Sequence, residues 1–486
     1  MKILAPLTLL CMLGLPAAAA TAAGQDDPAS RPLPPCPPPG GDQNAPPSPP
    51  PDGGDAPPPP SDGEQPPPCP PADGKGPPVA GHGQPPGHSQ AYKLAGAYHV
   101  TDTRDTIEDG RRYAASRKDE SAIWVQGGRL SLRQPQVDKT GDSSSHENSS
   151  FHGLNAALLI TGGGSLTVQG GQVQAKGLGA NAVSAVDAGS VAELSDTSIV
   201  ARGDGAHGVD AANGGRIVLH RVSIETFDAS AAAVATDRGG GTIVVDGGQL
   251  AAHGYRSPGL YSTGTIKVTG ANVRATGAEA AVIEGSNSIE VDNSQLIAGK
   301  SWGALLYQSF SGDAQGSHSR FIQHGGTFEA SDGPLFYITN ATGEITLEHV
   351  RLRVASGVLV KASDGQWGKS GRNGGHAVLH AVNQQLPGDL LAEHGGSVSA
   401  ELTNGSALDG RVSGVALDID ASSHWNVHGD STVTTLTLAG KDVSAKLARL
   451  RGNGYTVSYD AKAAANAWLG GKRWDLPGGG TLQPSS

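Results

Sequence analysis

One short theme returns four times between Gly205 and Gly299, and this repeat constrains the chain more than any other feature. It reads GAHGVDAANGGRIVLHRVSIETFD from Gly205 and SAAAVATDRGGGTIVVDGGQLAAHG from Ser230. It returns as SPGLYSTGTIKVTGANVRATG from Ser257 and EAAVIEGSNSIEVDNSQLIAG from Glu279. A period of roughly 23 to 27 residues lies in the range of repeat architectures. Each copy carries three apolar-alternating runs parted by Gly, Asn, Asp or Ser. In the second copy these are Ala233–Ala235, Thr242–Val245 and Gln249–Ala251. In the fourth they are Val282–Glu284, Ser288–Val291 and Gln295–Ala298. Runs this short are unstable alone. Alternation sets Ile243 and Val245 on one face and Thr242 and Val244 on the other. No run keeps a helical period, and glycine-rich turns disfavour helix. The expected fold is all-β: a right-handed parallel β-helix with three short strands per coil. Each coil buries its apolar face only against its neighbours.

Along the chain, coils are expected from Ala122, Gly153, Leu178, Gly205, Ala229, Tyr255 and Ala278, then from Ser301, Gly333, Gly357, Leu390 and Val415. Ten to twelve coils at ~4.8 Å make a rod on the order of 50–55 Å long. Two coils are stretched, by Ser311–Ser319 and by Asp364–Gly375. The polar run Asp142–Ser150 reads as an extended loop. Residues 92–152 read as an N-terminal cap plus first coil, with Tyr92–Tyr113 supplying the cap that open strand edges require. The body runs over 153–440. Residues 441–486 read as a C-terminal cap, with Trp468 and Trp474 over the last coil.

Before the repeats, residues 1–23 read as a secretory signal: Lys2, an apolar stretch from Ile3 to Leu15, and small residues at Ala18–Ala22. The apolar run is well under the ~20 residues of a membrane span. Export to the periplasm, the cell surface or the medium is the expectation. Residues 24–91 form a proline-rich segment; 25 of the 33 prolines fall between Pro28 and His88. Such a segment serves as a stalk or as a merely unstructured spacer. Cys36 and Cys69 lie in it and Cys11 in the leader, so no disulfide supports the repeats. The net charge of −11 argues against nucleic acid as a partner, which calls for a basic stripe.

Placing the copies in register puts non-apolar residues after the first strand of each coil. One column is expected to hold Thr236, Ser262, Glu284, Tyr307 and Tyr337. The next holds Asp237, Thr263 and Gln308, followed by Arg238, Ser286, Ser309 and Thr339. At about 5 Å per coil they would form a continuous polar and aromatic strip. Both insertions, with Asp313, Trp367, Lys369 and Arg372, emerge beside it. The candidate ligand-binding residues are Arg238, Tyr261, Glu284, Tyr307, Gln308, Asp313, Tyr337, Asn340 and Trp367. The tyrosines serve either as platforms for sugar rings or as a ladder stabilising the sheet face. Asp237 and Glu284, two coils and on the order of 10 Å apart, are the candidate catalytic acids, near the ~6.5–9.5 Å of inverting glycosidases. The competing and favoured reading is that both are solvated turn residues, Asp237 bonding local backbone amides. Histidines such as His207, His220, His253 and His324 are expected to face solvent. No zinc spacing, phosphate cradle or nucleophile elbow occurs, so neither a cofactor nor a metal is expected.

The coils resemble the pectate-lyase-like superfamily of β-helix proteins, and more closely a group of secreted bacterial β-helix proteins described as adhesin-like. The similarity lies in AHGVDAANGG (Ala206–Gly215), ATDRGGGTI (Ala235–Ile243), SPGLYSTGTI (Ser257–Ile266) and AVIEGSNSI (Ala281–Ile289). It continues in LLYQSFSGDA (Leu305–Ala314), PLFYITN (Pro334–Asn340), QWGKSGRNGG (Gln366–Gly375) and WLGGKRWDLPGGGTLQP (Trp468–Pro484). It spans roughly residues 92–486. The resemblance implies the fold and export but brings no activity. The aspartate cluster that would hold calcium in a pectate lyase has no counterpart. The 26 residues after Asp460 leave no room for the eight or so strands of an autotransporter barrel. The expected function is adhesin-like binding of carbohydrate or another surface. The alternatives are a polysaccharide lyase or glycoside hydrolase, and a structural spacer. Oligomeric state is not indicated.

Overall fold

The computed structural model describes residues 92–310 and 314–485. The expected leader, proline-rich segment, Cys36 and Cys69, and Asp313 lie outside these residues. Over the described residues the chain is a parallel β-helix in which strands pair with their counterparts one coil on, apart from an antiparallel pairing of Trp474–Asp475 with Thr481–Pro484 at the C-terminal end. In the copy from Ser230 the strands are Val234–Thr236 and a long Thr242–Ala252, which turns the corner between the second and third sheets without a break. In the copy from Glu279 they are Ala281–Glu284, Ser288–Asp292 and Gln295–Ala298.

The alternation expected from the sequence holds. Ile243 and Val245 are buried while Thr242 and Val244 are only half-buried. The same inward position runs through the second sheet as Leu130, Leu166, Ala192, Ile217, Ile243, Ile266, Ile289, Phe321, Ile345 and Leu379. All of them are buried in one continuous core. Stacked identical positions explain why short strands suffice, because every side chain is packed from the coil above and the coil below. Where the core widens, Phe321, Phe328 and Phe336 fill it with ring centroids 5.2–5.5 Å apart.

Coil 1 begins at Gly96, earlier than the repeats suggest. Gly96–Val100, Thr106–Asp109 and Arg112–Ala115 pair in parallel with the strands of coil 2. Residues within this coil close its end. The Tyr98 hydroxyl donates to Glu108 Oε1 at 2.6 Å, the Tyr113 hydroxyl donates to Glu108 Oε2, and Arg111 lies 2.7 Å from Glu108. The Arg111 guanidinium covers both tyrosine rings, 5.5 and 5.3 Å from their centroids. At the other end, Trp468 and Trp474 pack on the core, and Trp468 Nε1 donates to the Leu436 carbonyl at 3.0 Å.

Numbering onward, coil 6 starts at Val234, coil 7 at Leu260, coil 8 at Ala281, coil 9 at Ala304, coil 10 at Phe336 and coil 11 at Val358. The polar run after Asp142 is not simply a loop. Helix α1 (His146–His152) occupies it. The Ser145 side chain accepts from the Asn148 N–H, and Gly153 closes the helix at φ +68°. A serine N-cap and a left-handed glycine are the usual helix boundaries, and here they outweigh the polarity of the run. α1 lies against the outer face of the first sheet. The Asn181 amide reaches the Ser149 carbonyl at 3.4 Å, and Arg238 on coil 6 spans the Phe151 ring at 3.8 Å and Glu147 at 3.2 Å.

Candidate functional site

The strand pairing redraws the strip by one residue. Ser262 pairs with inward Ile283 and Thr236 with inward Ala211, and both are themselves fully buried. They therefore do not share a column with Glu284. One outward column runs Asp210, Ala235, Tyr261, Val282, Leu305 and Tyr337. The second pairs Glu284 with Tyr307 and Thr339, and carries Asp237 and Thr263 one position beyond the paired residues of coils 6 and 7. The sequence places glycine, serine or threonine opposite aromatics, so its own pattern does not tell a strand's last residue from the first of its turn. That is the source of the slip.

These two columns build a compact aromatic face on coils 7 to 11. Val282, Leu305 and Tyr307 are buried beneath Tyr261, Trp302, Tyr337 and Trp367. Trp302 stacks on Tyr337 at 4.5 Å, and Trp367 meets Tyr307 at 4.5 Å with a 52° tilt. Trp302 had no signal in the repeat, since it sits between coils; only its isolation among small residues, Ser301 and Gly303, marks it. Trp367 arrives on the coil 11 insertion, whose turn is held by Asn373 donating to the Gly365 and Trp367 carbonyls, both at 2.8 Å. The Tyr337 hydroxyl donates to the Asp364 carbonyl at 2.7 Å. Burial pushes that phenol above its usual range.

Glu284 is 1% exposed at the centre of this face. Its Oε2 accepts from the hydroxyls of Tyr261 and Tyr307, both at 2.8 Å, and its Oε1 accepts from Ser309. Burial first, then the neighbouring Tyr307 and Glu284, push the Tyr261 hydroxyl well above the usual phenol range, so it stays a donor. Gln308 and Asn340 are clasps of the same region. Asn340, at φ +52°, donates to the Gln308 carbonyl at 2.7 Å, and Gln308 Nε2 donates to the Ala314 carbonyl at 3.2 Å. Arg238 is turned toward α1, as above.

Asp237 is also buried, and its Oδ1 accepts from the Arg238 N–H at 2.8 Å. Register places it two coils from Glu284, hence about 10 Å away. A second buried acid, absent from the expected set, lies on the neighbouring column. Asp210 is fully buried; its Oδ2 accepts from Asn181 at 3.3 Å and its Oδ1 has no hydrogen-bond partner. Burial, then the charge of Asp237, raise the Asp210 carboxyl well above the usual range. The expectation that histidines face solvent fails at His207. It is buried, its Nδ1 accepts from the Ala232 N–H at 3.0 Å, and burial holds it down to about 4. His220 and His324 do lie on the outside, opposite Asp246 at 3.4 Å and Asp292 at 3.0 Å.

Beside the aromatic face, at the corner between the first and second sheets, the surface opens into a notch of about 470 Å³. Unequal corner lengths cut it. Coil 6 has four corner residues (Arg238–Gly241), coil 7 has only Gly264, and coil 8 has Gly285–Asn287. The notch is lined by Gly239–Gly241 on one side, by Ser286, Asn287 and His318 on the other, and by Thr242, Thr265 and Ser288.

Comparison with known proteins finds no match to a family model, a curated protein or a solved structure. Among the described residues no group of three or more His, Cys, Asp or Glu is placed to hold a metal ion. No helix among them is long and apolar enough to cross a membrane.

Proposed function

We propose that this protein is an exported, adhesin-like β-helix that binds carbohydrate or another surface through the outer face of its first sheet, without catalysis. The observation that carries this reading is the aromatic face itself. Four large aromatic side chains, Tyr261, Trp302, Tyr337 and Trp367, are gathered on one outward face and are only partly buried there. Aromatic rings held this way offer apolar area with polar rims, which suits the mixed character of a sugar. Rigid coils beneath them keep the geometry fixed before a ligand arrives, which lowers the ordering cost of binding.

The catalytic alternative loses support from the same residues. A general acid needs to reach the substrate at hydrogen-bond distance. Glu284 spends both oxygens on protein hydroxyls, and Asp237 is buried with one oxygen bonded to backbone. Export and the kinship with adhesin-like β-helix proteins rest on the sequence of residues 1–23 and on the quoted coil segments. Binding is tested with a glycan array probed by the full chain. Trp367→Ala is expected to weaken the best signal about two- to tenfold, in line with the ~0.5–1.5 kcal/mol of an aromatic contact. An unchanged signal removes the aromatic face from the reading.

A further inference from the structure

The notch over Gly264 adjoins the aromatic face but differs from it in kind. No Phe, Tyr, Trp, Val, Leu or Ile lines it; hydroxyls, an amide and bare glycine backbone make most of its surface, with His318 and Arg320 at the rim. Strand register stacks Thr242, Thr265 and Ser288 one coil apart in a single outward row. These three hydroxyls are half-buried, and their side chains make no hydrogen bond to protein among the described residues. Elsewhere on this corner the hydroxyls are used up: Thr263 donates to the Thr236 carbonyl at 2.9 Å, and Ser262 to the Gly264 carbonyl at 3.1 Å. A row of three unspent hydroxyls at ~4.8 Å spacing, in a recess two coils wide, is a set of donors and acceptors without an intramolecular use.

Charge narrows the ligand. The two basic groups at the rim, His318 and Arg320, both face Glu344, at 3.3 and 3.2 Å. The Glu344 carboxylate thus offsets the Arg320 guanidinium, the one permanent positive charge at the rim, and an anion gains little there. Size sets an upper bound, since about 470 Å³ across two coils has room for a ring or two of a polar molecule and not for a long polymer segment. The glycine wall is part of the device. A Cβ built on Gly240 meets nothing nearer than the Thr263 carbonyl at 3.5 Å and the Gly264 Cα at 3.8 Å. A side chain there would project over the floor of the notch, so its absence keeps the recess open.

We infer that the notch is a binding site for a short uncharged sugar unit of one or two rings, held by Thr242, Thr265 and Ser288, with Asn287, whose amide nitrogen donates to the Glu284 carbonyl at 2.6 Å, presenting its oxygen at the side. This rests on the carbohydrate reading above and names the unit that is recognised. The test uses the full chain and saturation-transfer NMR with the methyl glycosides of glucose, galactose, mannose and N-acetylglucosamine, alongside the glycan array. Gly240→Asn fills the notch; asparagine is tolerated at φ +69°, as the chain's own Asn213 and Asn340 occupy similar angles. Thr265→Val removes the central hydroxyl at constant shape. The expected result is a signal from at least one glycoside that falls tenfold or more in both variants, with melting temperature within a degree or two of the parent. Glycoside binding that persists in both variants overturns the notch and leaves the carbohydrate reading standing. If neither glycosides nor array glycans bind the parent chain, both fall together. Should Gly240→Asn misfold, Thr265→Val alone decides.

Discussion

Asp210 is the residue whose cost is easiest to measure. Burial, then the charge of Asp237, push its carboxyl well above the usual range in the folded chain, while the unfolded chain ionises it near the ordinary value of about 3.9. A folded-state value raised above the unfolded one gives stability that is complete below the unfolded value and lost as pH climbs through the folded one. Asp210→Asn keeps the shape and never ionises. The variant is expected to melt higher than the parent at pH 7, with the gap closing toward pH 4. A variant that melts lower at pH 7 would place an ionised, protein-stabilised carboxylate at this position. Glu284 is held differently: its two oxygens accept from the hydroxyls of Tyr261, Tyr307 and Ser309. Glu284→Gln is expected to lower stability by about 1–3 kcal/mol, since one accepting oxygen is replaced by an NH2 that cannot accept from the hydroxyl facing it. Tyr307→Ala removes a buried ring as well, at about 3–5 kcal/mol. Thermal melts of the three variants check the set, and an unchanged melt of Glu284→Gln would mean that the carboxylate is free for other work.

Among the elements, the strands were legible and the helix was not read. Ile243 and Val245 alternate with polar or exposed positions, and that pattern alone fixes which side faces the core. An aspartate at Val245 would lie among stacked valines and isoleucines with no partner, a cost of several kcal/mol. Val245→Asp is therefore expected not to fold, and Val244→Asp to behave as the parent; circular dichroism and soluble yield separate them. α1 carried readable signals in Ser145 and Gly153, but six of its seven residues are polar, Phe151 alone being apolar, and its partner Arg238 is far away in sequence. Arg238→Ala is expected to speed amide exchange across His146–His152 with little change in global melting, given the ~0.5–2 kcal/mol of a cation–π contact. Weaker glycan binding with unchanged α1 protection would instead return Arg238 to the ligand. The candidate site was legible in composition and not in register. Tyr261, Glu284, Tyr307, Tyr337 and Trp367 do meet. However, the outward columns are set by hydrogen-bond pairing, which the repeats specify only to within a residue wherever glycine and serine fill the corner.

For the whole molecule, coil length rather than side-chain chemistry shapes the surface. A one-residue corner at Gly264, between longer ones, opens the notch, and the insertion carrying Trp367 covers Tyr307 beside it. Both features are irregularities in a repeat, and in a solenoid irregularities are where the exterior departs from a smooth rod. The central claim is that this exterior binds sugar and does no chemistry on it. The most direct measurement applies the full chain to the polysaccharides from which the best-bound array glycan derives, and follows both retention and the release of reducing ends or unsaturated products. Retention of chain on the polysaccharide with no product over a day is the predicted result. Product formation by the parent that disappears in Glu284→Gln, with retention kept, would contradict it and make Glu284 a catalytic acid.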